Sequence, residues 1–382
     1  MISNIRTKIA AVSVLVAAVL VGGATPADAA DLHAALSAAL QGTKAPAVGV
    51  LVMRHGKVTA LAVEGVRRND RPGPVQVGDV WLIGSDAKPM TATLIARLVD
   101  RGVLNWRTPL SQLLPDLAGA MRPEYRSVTL VQLLSHQSGL PHDPSDTKFL
   151  NSLSSDTRPP PAQRLALVAR ALQDTPVAPP GVKFSYSNTG FILAAVIAER
   201  ATGVSYEDLM RREVFAPLGI TSEGVGVPQG AQPRGHLDGK PVLATGDVDP
   251  LAFAPAGLWY LSLRDWAKFC LDQMAGAQGH GRLLKAATYR LMQTQQIKTG
   301  DDVIGLAWGL SPTAMGYAGP FLTHTGSDGA WLADVVLLPA QNSGVLAVSN
   351  AGRSMGGDKA AGRALKAALP EIAPPAPPSS AH

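Results

Sequence analysis

A serine and a lysine three residues apart, Ser85 and Lys88, have the types and spacing of a nucleophile and its base. A serine hydroxyl is a weak nucleophile, so a covalent mechanism needs a neighbouring group that takes its proton during attack. Residues i and i+3 lie side by side on a helix, and we expect Ser85 to cap a helix that starts at about Asp86. The positive end of that helix would favour an alkoxide and disfavour a charged lysine. The pair therefore has the arrangement of an activated nucleophile, but the Ser-x-x-Lys motif alone proves little, because it occurs a second time in the chain.

The element that must position this pair is a helix with an apolar face and clear boundaries. Pro89 falls in its first turn, where a missing N–H is tolerated, and Gly102 ends the pattern. Apolar residues recur between them at helical spacing, at Met90, Leu94, Ile95, Leu98 and Val99. A second Ser-x-x-Lys, Ser145 to Lys148, follows two prolines and lacks such a pattern, so we interpret it as a loop.

The chain has the length and composition of a large folded protein that is exported. Its 382 residues are 46% hydrophobic, which is enough for one large domain or two. Arg6 and Lys8 precede an apolar run, Ile9 to Val21, and Ala27-Asp28-Ala29 supplies a small-x-small cleavage signal. These features predict a signal peptide over residues 1–29 and a secreted or periplasmic protein, with an uncleaved membrane anchor as the alternative.

Charge and residue types argue against several classes of function. The formal charge is +5, and would be +4 without Arg6, Lys8 and Asp28. No basic run concentrates this charge, so nucleic-acid binding is not expected. The eight histidines lack metal-ligand spacing and no Walker loop is present, so we expect neither a metal nor a cofactor. The single cysteine, Cys270, lies in an apolar helical pattern and is predicted to be a buried thiol.

Other polar side chains are candidates to join Ser85 in one cleft. Tyr186 and Asn188 lie two apart, and in an extended loop this spacing points a phenol and an amide the same way. Taken alone, the pair fits a polar loop with one buried tyrosine better. A helix from Phe191 to Arg200 is predicted to follow. His136 precedes the turn Gly139-Leu140-Pro141 and is predicted to pack under it rather than to react.

The remaining patterns predict strands towards both ends of the chain and helices between them. Apolar runs on either side of a turn indicate two hairpins, over 47–63 and 331–349, and a single short apolar run indicates a buried strand over 80–83. Helical spacing predicts three further helices, over 206–215, 263–274 and 355–369, with Ser262 as the cap of the second. Residues 224–239 are predicted to be an exposed excursion, and the Pro-rich residues 370–382 a disordered tail.

Three motifs taken together, Ser85-x-x-Lys88, Tyr186-x-Asn188 and His324-Thr325-Gly326, resemble those of the penicillin-recognising serine hydrolases. Their order and spacing are similar to the class C β-lactamase, DD-peptidase and esterase branch. Four further stretches resemble that branch at corresponding places, residues 134–141, 186–188, 217–219 and 305–308. The resemblance extends over about residues 47–368.

The resemblance implies an α/β fold of the β-lactamase/transpeptidase-like type, in which an antiparallel sheet is flanked by helices and an all-α domain is inserted. The hydrolase domain would span residues 30–369. Its α/β part would come from about 31–100 and 290–369, and its helical part from about 101–289. The cleft would lie between the two parts.

The third motif has a rival, because Lys298-Thr299-Gly300 spells the lysine form used by many β-lactamases. In the family this motif lies on an edge strand of the sheet. Lys298 follows a helix, whereas His324 lies in a strand-like run that continues through a Gly turn into the next strand. We therefore assign the motif to His324.

The resemblance also implies a role for each of these residues. Ser85 would attack a carbonyl to form an acyl-enzyme, while Lys88 and Tyr186 share the proton transfers. The backbone N–H groups of Ser85 and Ser327 would form an oxyanion hole. Asn188 would hold the substrate amide.

His324, Thr325 and Gly326 would bind the substrate, with the first two meeting a carboxylate or another polar group. Histidine in place of lysine makes this contact weaker and dependent on pH. Asp86 departs from the apolar or hydroxyl residue usual beside the serine, which bears on the affinity for an anionic substrate.

The expected function is that of an exported serine hydrolase that cleaves an amide or ester in a small molecule or peptide. A DD-carboxypeptidase-like peptidase is the first expectation. An esterase or D-amino-acid amidase, and a class C-like β-lactamase, are the alternatives within the enzymes. A penicillin-binding sensor that acylates once is the non-enzyme alternative. No stable membrane span is expected after signal cleavage, and the oligomeric state is left open.

Overall fold

The structure, a computed structural model, describes residues 29–244, 247, 249–299 and 302–377. The predicted signal peptide lies outside the described residues except for Ala29, which begins the first helix. Thirteen strands are formed within the described residues: β1 Ala47–Arg54, β2 Lys57–Gly65, β3 Val80–Leu82, β4 Gly224–Val225, β5 His236–Leu237, β6 Lys240–Pro241, β7 Trp259–Ser262, β8 Ile297–Thr299, β9 Asp302–Ile304, β10 Gly309–Ala314, β11 Tyr317–Gly326, β12 Leu332–Leu338 and β13 Ser343–Ser349.

The same parts of the chain form thirteen α-helices, several of them a single turn. They are α1 Ala29–Leu40, α2 Ala87–Asp100, α3 Leu110–Leu113, α4 Leu130–Leu134, α5 Thr147–Leu153, α6 Pro160–Ala171, α7 Asn188–Thr202, α8 Tyr206–Met210, α9 Ala216–Leu218, α10 Ala254–Gly257, α11 Leu263–Ala277, α12 Ala286–Met292 and α13 Gly357–Ala368. A π-helical stretch, Arg211–Phe215, joins α8 to α9. The predicted helices around α2, α7, α11 and α13 are confirmed. Ser262 caps α11 as predicted, because its side chain accepts the Asp265 N–H.

One antiparallel sheet of eight strands unites both ends of the chain, in the order β2-β1-β13-β12-β11-β10-β9-β8. Both predicted hairpins are confirmed, as β1 with β2 and β12 with β13. Strand β1 is buried on both faces, which explains its nearly continuous apolar sequence. Its alternate residues Val48, Val50 and Val52 face one core, while Ala47, Leu51 and Met53 face the other.

Helices cover both faces of this sheet. α1 and α13 pack on one face, where small alanines of α13 allow close approach to β1 and β13. α11 packs on the other face against the same two strands. The α/β architecture predicted from the sequence, an antiparallel sheet flanked by helices, is therefore confirmed. No helix within the described ranges combines the length and hydropathy needed to cross a bilayer.

Two helices that are buried over most of their length are α2, which carries Lys88, and α7, which begins at Asn188. They pack on each other and on α10. The middle of α7, from Thr189 to Ala198, is entirely buried, and so is most of α2. Gly203 ends α7 in the left-handed conformation (φ 69°), where glycine has no Cβ to clash. The short turn before α2 contacts β11 and β12, so the helical part meets the sheet at this point.

Two predictions from composition are wrong. Residues 224–239 are not an exposed excursion, since Gly224–Val225 pairs with β7 and His236 is fully buried. The ring Nδ1 of His236 lies 2.8 Å from the Asn350 carbonyl oxygen. The prediction failed because a contact between residues this far apart in the chain is not visible in the local sequence. Residues 370–377 are not disordered. Ile372 and Ala373 are buried, and Ala318 N donates to the Pro374 carbonyl (2.9 Å).

Candidate active site

Ser85 lies in a tight turn between β3 and α2. Residues Gly84–Asp86 form one turn of 3-10 helix, and Asp86 takes the N-cap position of α2 without a capping side-chain bond. The prediction that Ser85 caps the helix is therefore wrong by one residue. Gly84 has φ 54°, and a Cβ there would lie 2.3 Å from the Ser327 nitrogen. Glycine is thus required at this position, because a side chain would prevent the turn from lying this close to the backbone at the end of β11.

Lys88, on the first turn of α2, is fully buried and points its amine at Ser85. Its Nζ lies 2.9 Å from Ser85 Oγ, and it donates to Asn188 Oδ1 (2.8 Å) and the Ala256 carbonyl oxygen (2.6 Å). Burial lowers the pKa of Lys88 to about 7, against the opposing effects of Asp143, Asp249 and Asp86. A neutral amine has two hydrogens for the two carbonyl oxygens and one lone pair for the serine proton. Lys88 can therefore act as a base.

Tyr186 approaches the same oxygen from the loop before α7. Its hydroxyl donates to Ser85 Oγ at 2.8 Å. Burial raises the pKa of Tyr186 to about 12, so the phenol keeps its proton at neutral pH. Its ring stacks on that of His136 with centroids 4.4 Å apart. His136 is buried and its Nδ1 accepts the Ser187 N–H (3.0 Å). It therefore packs in the interior, in agreement with the prediction, although its stacking on Tyr186 was not predicted.

Asn188, the first residue of α7, connects Lys88 to a carboxylate that sequence reasoning missed. Its Oδ1 accepts from Lys88, and its Nδ2 donates to Asp143 Oδ1 (3.1 Å). Asp143 Oδ2 also lies 2.6 Å from Nδ1 of the largely exposed His142, whose pKa this contact raises. A chain of hydrogen bonds therefore runs from His142 at the surface to the buried amine. The loop Pro141 to Asp143 carries no motif that would have identified it.

The predicted third motif reaches the site at the end of β11. Strand β10 begins opposite Thr323, so His324, Thr325 and Gly326 pair with β12 alone among the described strands. The motif thus occupies a local edge, although β11 itself is an interior strand. A Cβ on Gly326 would lie 1.9 Å from the Ile83 carbonyl oxygen and 2.8 Å from the Ser85 nitrogen. Backbone contact this close brings the N–H groups of Ser85 and Ser327 to the same turn.

Both side chains of this motif contact carboxyl groups of the protein. His324 Nδ1 and Asp86 Oδ1 are hydrogen-bonded at 2.9 Å, and Thr325 Oγ1 donates to Asp334 Oδ1 (2.7 Å). Burial lowers the pKa of His324 to about 3 and raises that of Asp86 well above its usual range. The imidazole is therefore uncharged. Asp334 is a further residue that the motifs did not reveal.

The two rival motifs lie elsewhere. Lys298 is exposed on β8, at the opposite end of the sheet order from β2, and Gly300 is outside the described residues. In the second Ser-x-x-Lys, Lys148 lies on α5 rather than in a loop, which corrects our interpretation. Ser145 Oγ there donates to Asp174 Oδ1 at 2.6 Å. Only the Ser85 motif brings its lysine to its serine with a tyrosine alongside.

Comparisons with known proteins identify the family and the fold of this chain. A sequence profile described as Beta-lactamase matches residues 32–369. Penicillin-binding protein 4 of Amycolatopsis lactamdurans is 30% identical over 79% of this chain and 79% of its own. Penicillin-binding protein 4* of Bacillus subtilis is 31% identical over 40% of this chain, which matches 32% of that protein.

Two solved structures share the fold. The octameric penicillin-binding protein homologue from Pyrococcus abyssi is 24% identical, with a TM-score of 0.73 over 90% of this chain and 77% of that one. The D-alanine carboxypeptidase AmpC from Burkholderia cenocepacia is 23% identical, with a TM-score of 0.71 over 89% of this chain and 99% of that one. At these identities the likeness concerns the fold alone.

Proposed function

Since this chain belongs to the β-lactamase family, we propose that it is a serine hydrolase that cleaves an amide or ester through an acyl-enzyme on Ser85. The observation that carries the proposal is the position of Ser85 Oγ, 2.9 Å from Lys88 Nζ and 2.8 Å from the Tyr186 hydroxyl. One neighbour can take the serine proton while the other supplies a proton, and both are needed for acyl transfer.

In the acylation step, Ser85 Oγ attacks the carbonyl carbon and its proton passes to neutral Lys88. The carbonyl oxygen becomes an oxyanion that accepts from the N–H groups of Ser85 and Ser327. When the tetrahedral intermediate collapses, the bond to the leaving amine or alcohol breaks. The leaving group takes the proton from Lys88, directly or through Tyr186. The result is an ester of Ser85.

In the deacylation step, water attacks this ester and gives up a proton to the neutral amine of Lys88, directly or by relay through the Tyr186 hydroxyl, which passes on its own proton as it accepts one. The acid product leaves and Ser85 Oγ regains a proton. Asn188 keeps the Lys88 amine in place through its Oδ1. Its Nδ2 retains one further hydrogen with which to meet a substrate carbonyl.

Two observations bear on the substrate class, and they favour different substrates. The names of the relatives, penicillin-binding protein and D-alanine carboxypeptidase, favour a DD-carboxypeptidase-like action on a peptide. The uncharged His324 favours an esterase or D-amino-acid amidase, because it lacks the fixed cation that a lysine would offer to a carboxylate. Action outside the cytoplasm, through the predicted signal peptide, is part of the proposal.

Intact-protein mass spectrometry tests the core of this proposal. The chain without residues 1–29 is mixed with benzylpenicillin or with a fluorophosphonate, and adduct mass is followed over time. We expect an adduct that Ser85→Ala abolishes and that Ser145→Ala, the serine of the second Ser-x-x-Lys, leaves intact. Adduct formation retained in Ser85→Ala would contradict the mechanism. A penicillin adduct that persists for hours indicates a sensor or peptidase, and its rapid loss indicates a β-lactamase.

A further inference from the structure

His324 and Thr325, the two polar side chains placed to bind a substrate anion, are each hydrogen-bonded to a carboxyl group of the protein. Asp86 binds the ring of His324 from the Ser85 turn, and Asp334 accepts the hydroxyl hydrogen of Thr325 from the neighbouring strand. Thr325 and Asp334 are directly opposite in the β11–β12 register, so the second contact is built into the sheet. Neither contact depends on a flexible loop.

The first contact is also buried. Asp86 is 1% exposed and follows Ser85 directly, so it cannot move without disturbing the nucleophile. With Nδ1 of His324 held by Asp86, only Nε2 of the ring is left for a ligand. One oxygen of Asp86, Oδ2, is buried with no hydrogen-bond partner, so the protein retains an acid here at a cost in solvation.

The surrounding charges reinforce this arrangement. Burial, and then the nearby Asp334, raise the pKa of Asp86 well above its usual range, so Asp86 acts on His324 as a hydrogen-bond partner and the negative charge of the pair lies on Asp334. Lys88 is committed to Ser85, Asn188 and Ala256. Arg353 is the cation that acts on Asp334. A substrate carboxylate placed beside Thr325 would therefore face Asp334 without a free donor hydrogen on the threonine, and like charges at such range repel.

We propose that Asp86 and Asp334 make this cleft select esters and amides whose leaving group carries no carboxylate. This inference rests on the proposed function and names the substrate class of the same site. A leaving group with a carboxamide, an alkyl ester or an alcohol would bind, since Nε2 of His324 and the free hydrogen of Asn188 can still serve neutral polar atoms. A free terminal carboxylate, as in a peptide cut by a carboxypeptidase, would be disfavoured.

The test uses two thioesters of benzoylglycine that differ only in the charge of the leaving group, mercaptoacetate or mercaptoacetamide. Thiol release gives kcat/KM for each with the chain lacking residues 1–29. We expect the carboxamide to be preferred by about tenfold or more, the scale of one unscreened like-charge contact. Asp334→Asn should narrow the preference by about threefold or more, by raising kcat/KM for the anionic substrate, because it removes the carboxylate that this substrate would face. Asp208→Asn, at an exposed position on α8, controls for net charge and should leave the ratio unchanged.

Equal use of the two thioesters, or preference for the anionic one, would overturn the inference. So would a ratio that stays the same in Asp334→Asn, which removes the partly exposed carboxyl group beside Thr325. Fluorophosphonate labelling of Ser85 is measured in parallel. Labelling without turnover of either thioester refutes the substrate inference alone, whereas absence of labelling as well refutes the proposed function beneath it.

Discussion

Replacing Asp143 by Asn is expected to move the acid limb of the kcat/KM profile to lower pH. The wild-type profile should rise as Lys88 loses its proton, with an apparent pKa of about 7. The Asp143 carboxylate raises that pKa by favouring the charged amine. Its removal therefore lowers the pKa, and the neutral base becomes available at lower pH. Asn keeps an oxygen that can accept from Asn188, so the change is mainly one of charge.

The size of the shift follows from the hydrogen-bond chain. The amide of Asn188 connects the Lys88 amine to the Asp143 carboxylate: Lys88 Nζ lies 2.8 Å from its Oδ1, and its Nδ2 lies 3.1 Å from Asp143 Oδ1. Charges roughly 7 Å apart interact by about 2.4 kcal/mol at an effective dielectric constant of about 20. Asp143 is 30% exposed, and solvent screening reduces this to about half. Because one pKa unit is about 1.4 kcal/mol, we expect a shift of about one unit.

The assay is kcat/KM from pH 5 to pH 9 with a neutral ester substrate whose own charge does not change. His142→Gln is the matched variant, since it removes the partner of Asp143 but keeps the carboxylate, and its acid limb should stay in place or move to higher pH. Asp249, whose burial raises its pKa to about 7, titrates in the same range, so the measured constants belong to the coupled group. An acid limb in Asp143→Asn that is unmoved or shifted upward would refute the reasoning.

Three further substitutions test separate parts of the structure. Tyr186→Phe removes the hydroxyl that donates to Ser85 Oγ and should lower kcat by about 10²–10⁴-fold with little change in KM, and an unchanged kcat would exclude Tyr186 from proton transfer. Gly326→Ala forces a Cβ against the Ile83 carbonyl and should lower kcat/KM by about 10²–10³-fold by displacing an oxyanion-hole donor; full activity in a folded variant contradicts the assigned geometry. Ile372→Ala should lower the free energy of unfolding in urea by about 2–5 kcal/mol, and no loss would show that the C-terminal segment is not packed.

Much of the local structure was predictable because it depends on short-range patterns. The stripe of apolar residues in α2, the two apolar runs with a Gly turn between them in the β1–β2 hairpin, and the Ser262 cap are all set by neighbours in sequence. The three motifs were also predictable, because each is a short run of neighbouring residues and their order along the chain can be read directly. The fold and the family followed from these signals.

The missed features depend on contacts between distant residues. Asp86 and His324 are 238 residues apart, and Asp143 and Asn188 are 45 apart. No periodicity marks a side chain that will meet a partner from another element. The buried His236 and Ile372 were missed for the same reason, because Gly- and Pro-rich composition predicts exposure unless tertiary contacts intervene.

The eight-stranded sheet joins the first strands of the chain to the last, which matters during synthesis. Ala47 N donates to Asn350 Oδ1, across 303 residues. At about 5–20 residues per second, the ribosome delivers β13, the second neighbour of β1 in the sheet, about 15–60 s after β1 itself. Throughout that interval β1 presents an open apolar edge, a target for chaperones and for aggregation. The Ser85 turn likewise cannot pack on Gly326 and Ser327 until β11 has been synthesised. The nascent chain therefore has no assembled acyl-transfer centre until translation is nearly finished.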